Sequence, residues 1–122
     1  MLFRSPRDPL PFVATKIIED FDYAAANVRA TDGVLQVNKD VVLAYMSRYM
    51  LYLGTYLKYN NIDQTVATTL LTKAKWAAEQ LINGGKYQIV DDYRGLFTSQ
   101  DLTGNKEVIN PCSRQQSGIS RR

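Results

Sequence analysis

From Asn38 to Asn60 the apolar positions recur with a helical period and cover more of the circumference than a surface helix uses. At about 100° per residue, Tyr45, Tyr49, Tyr52, Tyr56 and Tyr59 fall in one sector and Val42, Met46, Met50, Leu53 and Leu57 in the next. Together the two sectors span roughly 200°, about twice the usual apolar stripe. The remaining arc, with Ala44, Ser47, Arg48, Leu51, Gly54, Thr55 and Lys58, is only half polar. The pattern predicts a central helix flanked by at least two packing partners and the most buried element of the chain, with Met50 and Leu53 inside. Asn38 is placed to cap its start, Asp40 suits the first turn, and Val37 with Val42 can form a hydrophobic staple. Asn60-Asn61 ends it.

Helical periods also occur on both sides. Asp8-Pro9 reads as an N-cap followed by a first-turn proline, opening a helix that runs to about Arg29. Val13, Ile17, Phe21, Ala24 and Val28 share one face of it, widened by Ala14, Ile18 and Ala25. Thr31-Asp32-Gly33 is a turn, and a short apolar segment at 34–37 leads into the central helix. Asp63 caps a third helix that reaches about Asn83 and stops at a glycine cap, Gly84-Gly85. Its expected buried face is Val66, Leu70, Ala74, Ala77, Ala78, Leu81 and Ile82. The predicted fold is therefore mostly α: two antiparallel helical hairpins of tetratricopeptide-like packing that share the middle helix. Loops of roughly five to eight residues should join them.

After Gly85 the period changes. Residues 86–90 alternate and read as extended, Tyr93 to Phe97 as a single helical turn, and 106–109 as the opening of a strand. Residues 111–122 have no period and one large apolar residue, Ile119, and read as a disordered or out-of-frame tail. The chain thus divides into a helical region, 1–110, and a tail, 111–122.

Composition narrows the chemistry. There is no histidine and a single cysteine, Cys112, which rules out an internal disulfide and the usual nitrogen–sulfur metal sites. The net charge of +3 comes wholly from Arg114, Arg121 and Arg122, since residues 1–110 hold 12 basic and 12 acidic residues. With no basic stripe on a helix, nucleic acid is not an expected partner. No run approaches the roughly 20 apolar residues of a membrane span, and residues 1–12 lack the apolar core of a signal peptide. Glu19, Asp20 and Asp22 point in different directions on a helix and read as a solvated or locally paired face. Asp91-Asp92 reads as a loop or cap and not as an acid/base pair. No catalytic residue, metal or cofactor is expected. Trp76 lies off the buried face of the third helix; its bulk favours cover by a later segment over exposure to a ligand. The tyrosine stripe offers flat faces on which sugars stack, yet its spacing also suits a helix–helix seam, the favoured reading.

Five motifs, in order, resemble the SusD/RagB family of glycan- and nutrient-binding outer-membrane lipoproteins of Bacteroidetes. Ile17 precedes Asp20-Phe21-Asp22-Tyr23-Ala24; Gly33 leads through Val37 to Asn38-Lys39. Ala44 is followed by Arg48-Tyr49 and Leu51-Tyr52, and Ile82-Asn83-Gly84-Gly85 by Tyr87. Last come Tyr93, Leu96-Phe97, and Asn105 with Glu107-Val108-Ile109. The resemblance covers about residues 12–109. It implies a fragment of a helical scaffold at the cell surface, working with a SusC-type TonB-dependent transporter in uptake of an oligosaccharide or other nutrient. The family's lipobox cysteine and long C-terminal half have no counterpart here, so the chain is expected to be incomplete at both ends. In that case apolar faces would be left uncovered and would invite association. The resemblance carries over no ligand-binding residue; Trp76, Tyr87 and Tyr93 are the aromatic candidates. The alternative is a free-standing helical-repeat adaptor that binds a peptide or protein between its hairpins, in which Trp76 and residues 87–97 would close the fold.

Overall fold

The three helical periods become three long helices, α1 (Leu10–Asn27), α2 (Lys39–Tyr59) and α3 (Gln64–Asn83), followed by a short α4 (Tyr93–Thr98). The computed structural model describes residues 6–31, 33, 36–99, 102 and 104–110. The protein is mostly α, and among the described residues there is no strand. The expected tail at 111–122, Asp32 of the turn, and residues 34 and 35 of the short apolar segment lie outside the described residues.

Local chemistry sets the helix ends. Asn38 Oδ1 accepts the Val41 N–H at 3.1 Å, and Asp63 Oδ1 accepts the N–H groups of Thr65 and Val66 at 3.0 and 2.9 Å. Each removes orphan donors of a first turn. Asp8 does not cap α1. Pro9 is the N-cap residue, with no side-chain cap bond, and its carbonyl accepts from Phe12 and Val13. Pro11, second in the helix, has no N–H, so a capping side chain would find fewer donors to satisfy.

The link from α2 to α3 is only residues 60–63, shorter than expected. Asn61 takes a left-handed φ of 52°, and the Ile62 N–H returns to the Leu57 carbonyl at 3.1 Å, which reverses the chain within one turn. The link from α1 to α2, residues 28–38, is longer than expected and is tied by Lys39 N–H to Arg29 C=O at 3.0 Å.

Helix α2 is the most buried element: seven of its residues are buried, against four in α3 and two in α1. Met46, Met50 and Leu57 form the core with Ala67, Leu70, Ala74 and Ala77 of α3 and Ala14 and Ala25 of α1. The approach is closest at Gly54, where an added methyl carbon would sit 2.9 Å from Leu71 Cγ and 3.1 Å from Leu70 Cβ. Gly54, five residues before the end of α2, thus meets Leu70 and Leu71, six and seven residues beyond the start of α3, as an antiparallel hairpin requires.

Several apolar positions differ from expectation. Leu53 is half-buried, at the edge of the core. Helix α1 is fully buried only at Ala14 and Ala25; Phe21, Ala24 and Val28 of its expected face are half-buried against the core, and Val13 is exposed. On α3, Leu81 takes the slot toward the core; Ile82, one step of about 100° further on, is 75% exposed. The strand opening expected at 106–109 does not form: the extended segment 86–90 shares one backbone bond with it, Gln88 N–H to Lys106 C=O at 3.1 Å. The Glu107 carboxylate takes the Val90 N–H instead, and Asn105 Oδ1 takes the Glu107 N–H, which makes 105–107 a turn.

Candidate functional site

The tyrosines of α2 do not form a seam. Tyr45, Tyr49, Tyr52, Tyr56 and Tyr59 are between 45% and 78% exposed. Because α1 settles on the core through its alanines, it meets the stripe only at the edge, where the Phe21 and Tyr49 rings lie 6.5 Å apart. Tyr45 stacks on Tyr49 at 5.8 Å and 14°, so the two rings lie nearly parallel.

Between α1 and α2 this leaves an open groove of about 640 Å³, walled by Ile17 and Phe21 on one side and by Arg48, Tyr49, Tyr52 and Leu53 on the other. Arg48 is its one charged wall residue and forms no ion pair among the described residues. Chemically the groove can bury apolar groups, stack on ring faces and pair one guanidinium with a carboxylate. Its lining includes no Asp, Glu, Ser, Cys or Lys.

Tyr87 belongs to a second, smaller cleft of about 250 Å³, shared with Asn38, Lys86, Asn105 and Lys106. Its hydroxyl donates to Asp40 Oδ2 at 3.0 Å, and Lys86 Nζ reaches the same oxygen at 3.0 Å. Partial burial, reinforced by the hydrogen bond and by the negative charge of Asp40, pushes the phenol up from 10.0 to about 12. Tyr87 is thus a strut that fastens the segment after α3 to the start of α2.

Trp76 is not covered: it is 41% exposed on the outer side of α3, amid exposed Thr72, Lys75, Glu79 and Gln80. The segment after α3 turns instead toward the start of α2, where Lys86 and Tyr87 find Asp40. Tyr93 is exposed and packs on Phe97 at 4.9 Å within α4. The three aromatic candidates therefore stand on three different elements, and neither groove includes Trp76 or Tyr93. The groove itself was missed, although both of its walls are visible as stripes, Ile17/Phe21 and Tyr45/Tyr49/Tyr52/Tyr56. What was missing was how α1 lies against the core.

The acidic residues are mostly accounted for. Glu19 pairs with Lys16 at 2.7 Å, and both oxygens of Asp22 accept from Lys73 of α3 at 2.8 Å. Asp92 Oδ1 accepts the Gly95 N–H at 2.9 Å and caps α4. Among the described residues no group of three or more His, Cys, Asp or Glu is placed to hold a metal ion, and no helix is long and apolar enough to cross a membrane. Comparison with known protein families, with curated proteins and with solved structures found no match.

Proposed function

We propose that this chain is a non-catalytic helical scaffold of the SusD/RagB kind, part of a cell-surface protein that binds an oligosaccharide or other nutrient. In this reading it works beside a SusC-type TonB-dependent transporter at the outer membrane. The observation that supports it is the way motif residues fasten onto neighbouring parts of the chain. Tyr87, which follows the Gly84-Gly85 motif, hydrogen-bonds Asp40, the residue directly after the Asn38-Lys39 motif. Glu107 and Asn105, from the last motif, hold the backbone of residue 90 and of their own turn. The segments that carry the family-like spacings thus touch one another at several points, Phe21 against Tyr49 among them. The glycan-contacting positions of the family lie largely outside the region of resemblance, so the reading assigns no sugar-binding residue here.

The test is genetic and then physical. The coding DNA beside this reading frame should encode a SusC-type transporter, and the two products should co-purify from detergent-solubilised outer membranes. A locus without such a transporter, or a transporter that purifies without this chain, refutes the reading. A helical adaptor that takes a peptide is the second reading, favoured by the open groove between α1 and α2. A single-site peptide complex mapped to Tyr49 and Tyr52 would decide for it.

A further inference from the structure

The groove has a composition that the scaffold reading does not use. Its wall is Tyr, Phe, Ile, Leu and Arg, with no Lys or Glu, which is the make-up of the buried centre of protein interfaces. A sugar needs many hydrogen-bond partners, and apart from Arg48 and the tyrosine hydroxyls the wall offers none. A protein surface is the better match.

The rims say which surface. Arg48 stands on the α2 side. On the α1 side stands Asp20, three residues after Ile17 and therefore its neighbour on the helix surface. Its acidic neighbours Glu19 and Asp22 pair with Lys16 and Lys73, whereas Asp20 and Arg48 have no ionic partner among the described residues. A patch with an acid on one rim and a base on the other is complementary to itself when turned through a two-fold axis, since residue i then meets j and j meets i.

We propose that a second copy of this chain closes the groove, α1–α2 face against α1–α2 face about a two-fold axis, with Arg48 of each copy against Asp20 of the other. The half-exposed Tyr45, Tyr49, Tyr52 and Tyr56 supply on the order of 100 Å² each. With the edges of the neighbouring aliphatic residues, each copy buries roughly 500–600 Å², near the lower limit for a specific interface. The dimer is therefore weak and reversible, and because the same patch is used on both copies it stops at two. This inference does not depend on the SusD-like reading.

Sedimentation equilibrium of the full chain over a wide concentration range tests it, with circular dichroism to show that each variant is folded. The expected result is a monomer–dimer equilibrium that Tyr52→Ala weakens at least about tenfold. Arg48→Asp and Asp20→Arg should each weaken it about as much, by like-charge contact across the axis, and the double variant should return to within about threefold of the parent. Should Arg48→Asp fail to fold, Arg48→Gln replaces it and is expected to lose several-fold. A monomer at every concentration, open-ended association, or a dimer indifferent to Tyr52→Ala overturns the proposal. So does a double swap that stays as weak as its single parents, or a foreign peptide held in the groove while the chain remains monomeric.

Discussion

Toward α3, helix α2 offers Met50, Gly54 and Leu57, and the two helices close until one added methyl group would meet Leu71 at 2.9 Å. Toward α1 the same helix offers Tyr49 and Leu53, and a groove of about 640 Å³ stays open. The difference traces to side-chain size. Alanines at 67, 74 and 77 of α3 and a glycine on α2 let two backbones approach, so Met50 and Leu70 are fully enclosed. On the other side Tyr49 and Phe21 meet ring to ring at 6.5 Å and hold the helices apart above the level of Ala14 and Ala25. One face of α2 is spent on stability and the next is left for association.

The largest predicted effect separates these faces. Met50→Ala removes a side chain with no exposure and should cost about 2–5 kcal/mol in a urea titration. Tyr52→Ala, which is 67% exposed, should cost less than about 0.5 kcal/mol at concentrations where the chain is monomeric. Equal losses would abolish the distinction. Leu53→Ala should fall between the two, because Leu53 is half-buried and borders both regions.

A smaller effect is expected at the point of closest approach. Gly54→Ala gains roughly 1 kcal/mol of helix propensity but forces Leu71, and then the Leu70 backbone, to move. Overpacking of this kind costs about 1–3 kcal/mol, so the net change should lie between about zero and a loss of about 2 kcal/mol. A stabilised Gly54→Ala would show that α2 and α3 have room to spare.

Much of this was legible in the residues, and the reasons it failed elsewhere are specific. Asn38 and Asp63 announced two helix starts because a capping oxygen acts on its own next turn, a purely local matter. The core of α2 was legible because Val42, Met46, Met50 and Leu57 leave no alternative face to bury. The tyrosine stripe was not, since a ring with a polar tip fits a seam as well as it fits water. Which it does depends on where α1 lies, and that is decided by Ala14 and Ala25, residues that look like mere extensions of a wider stripe. Trp76 failed for the same reason: cover for it depended on the path of residues 86–90, and Asp40 draws Lys86 and Tyr87 away toward the start of α2. Long-range ion pairs such as Lys73 with Asp22 leave no trace in a single chain's periodicity.

That pair gives a weaker test of how α1 is held. With side chains 37% and 42% exposed, Lys73 and Asp22 form a half-solvated bridge, and Asp22→Asn should cost no more than about 1 kcal/mol. The loss should shrink in high salt. A cost several times larger would mean that α1 depends on this bridge more than on Ala14 and Ala25, and the groove would then be a hinge.

The smallest effect appears in alkali and concerns the fastening of residues 86–90. Tyr87 has its phenol raised from 10.0 to about 12, through burial first and through Asp40 second. A raised pKa in the folded state means that the folded chain favours the neutral phenol. The stabilisation is therefore fully present below about pH 10 and is lost as the pH climbs through about 12. Tyr87→Phe keeps the ring, removes the proton and leaves Lys86 against Asp40, so the loss of stability at pH 7 should be no more than about 1 kcal/mol. In the variant, the part of the alkaline decline that belongs to this phenol should vanish between pH 10 and 12. Urea titrations of parent and variant at pH 7, 10 and 11 read the difference directly. Parallel curves for the two proteins across that range would mean that the hydrogen bond to Asp40 does not hold the segment in place.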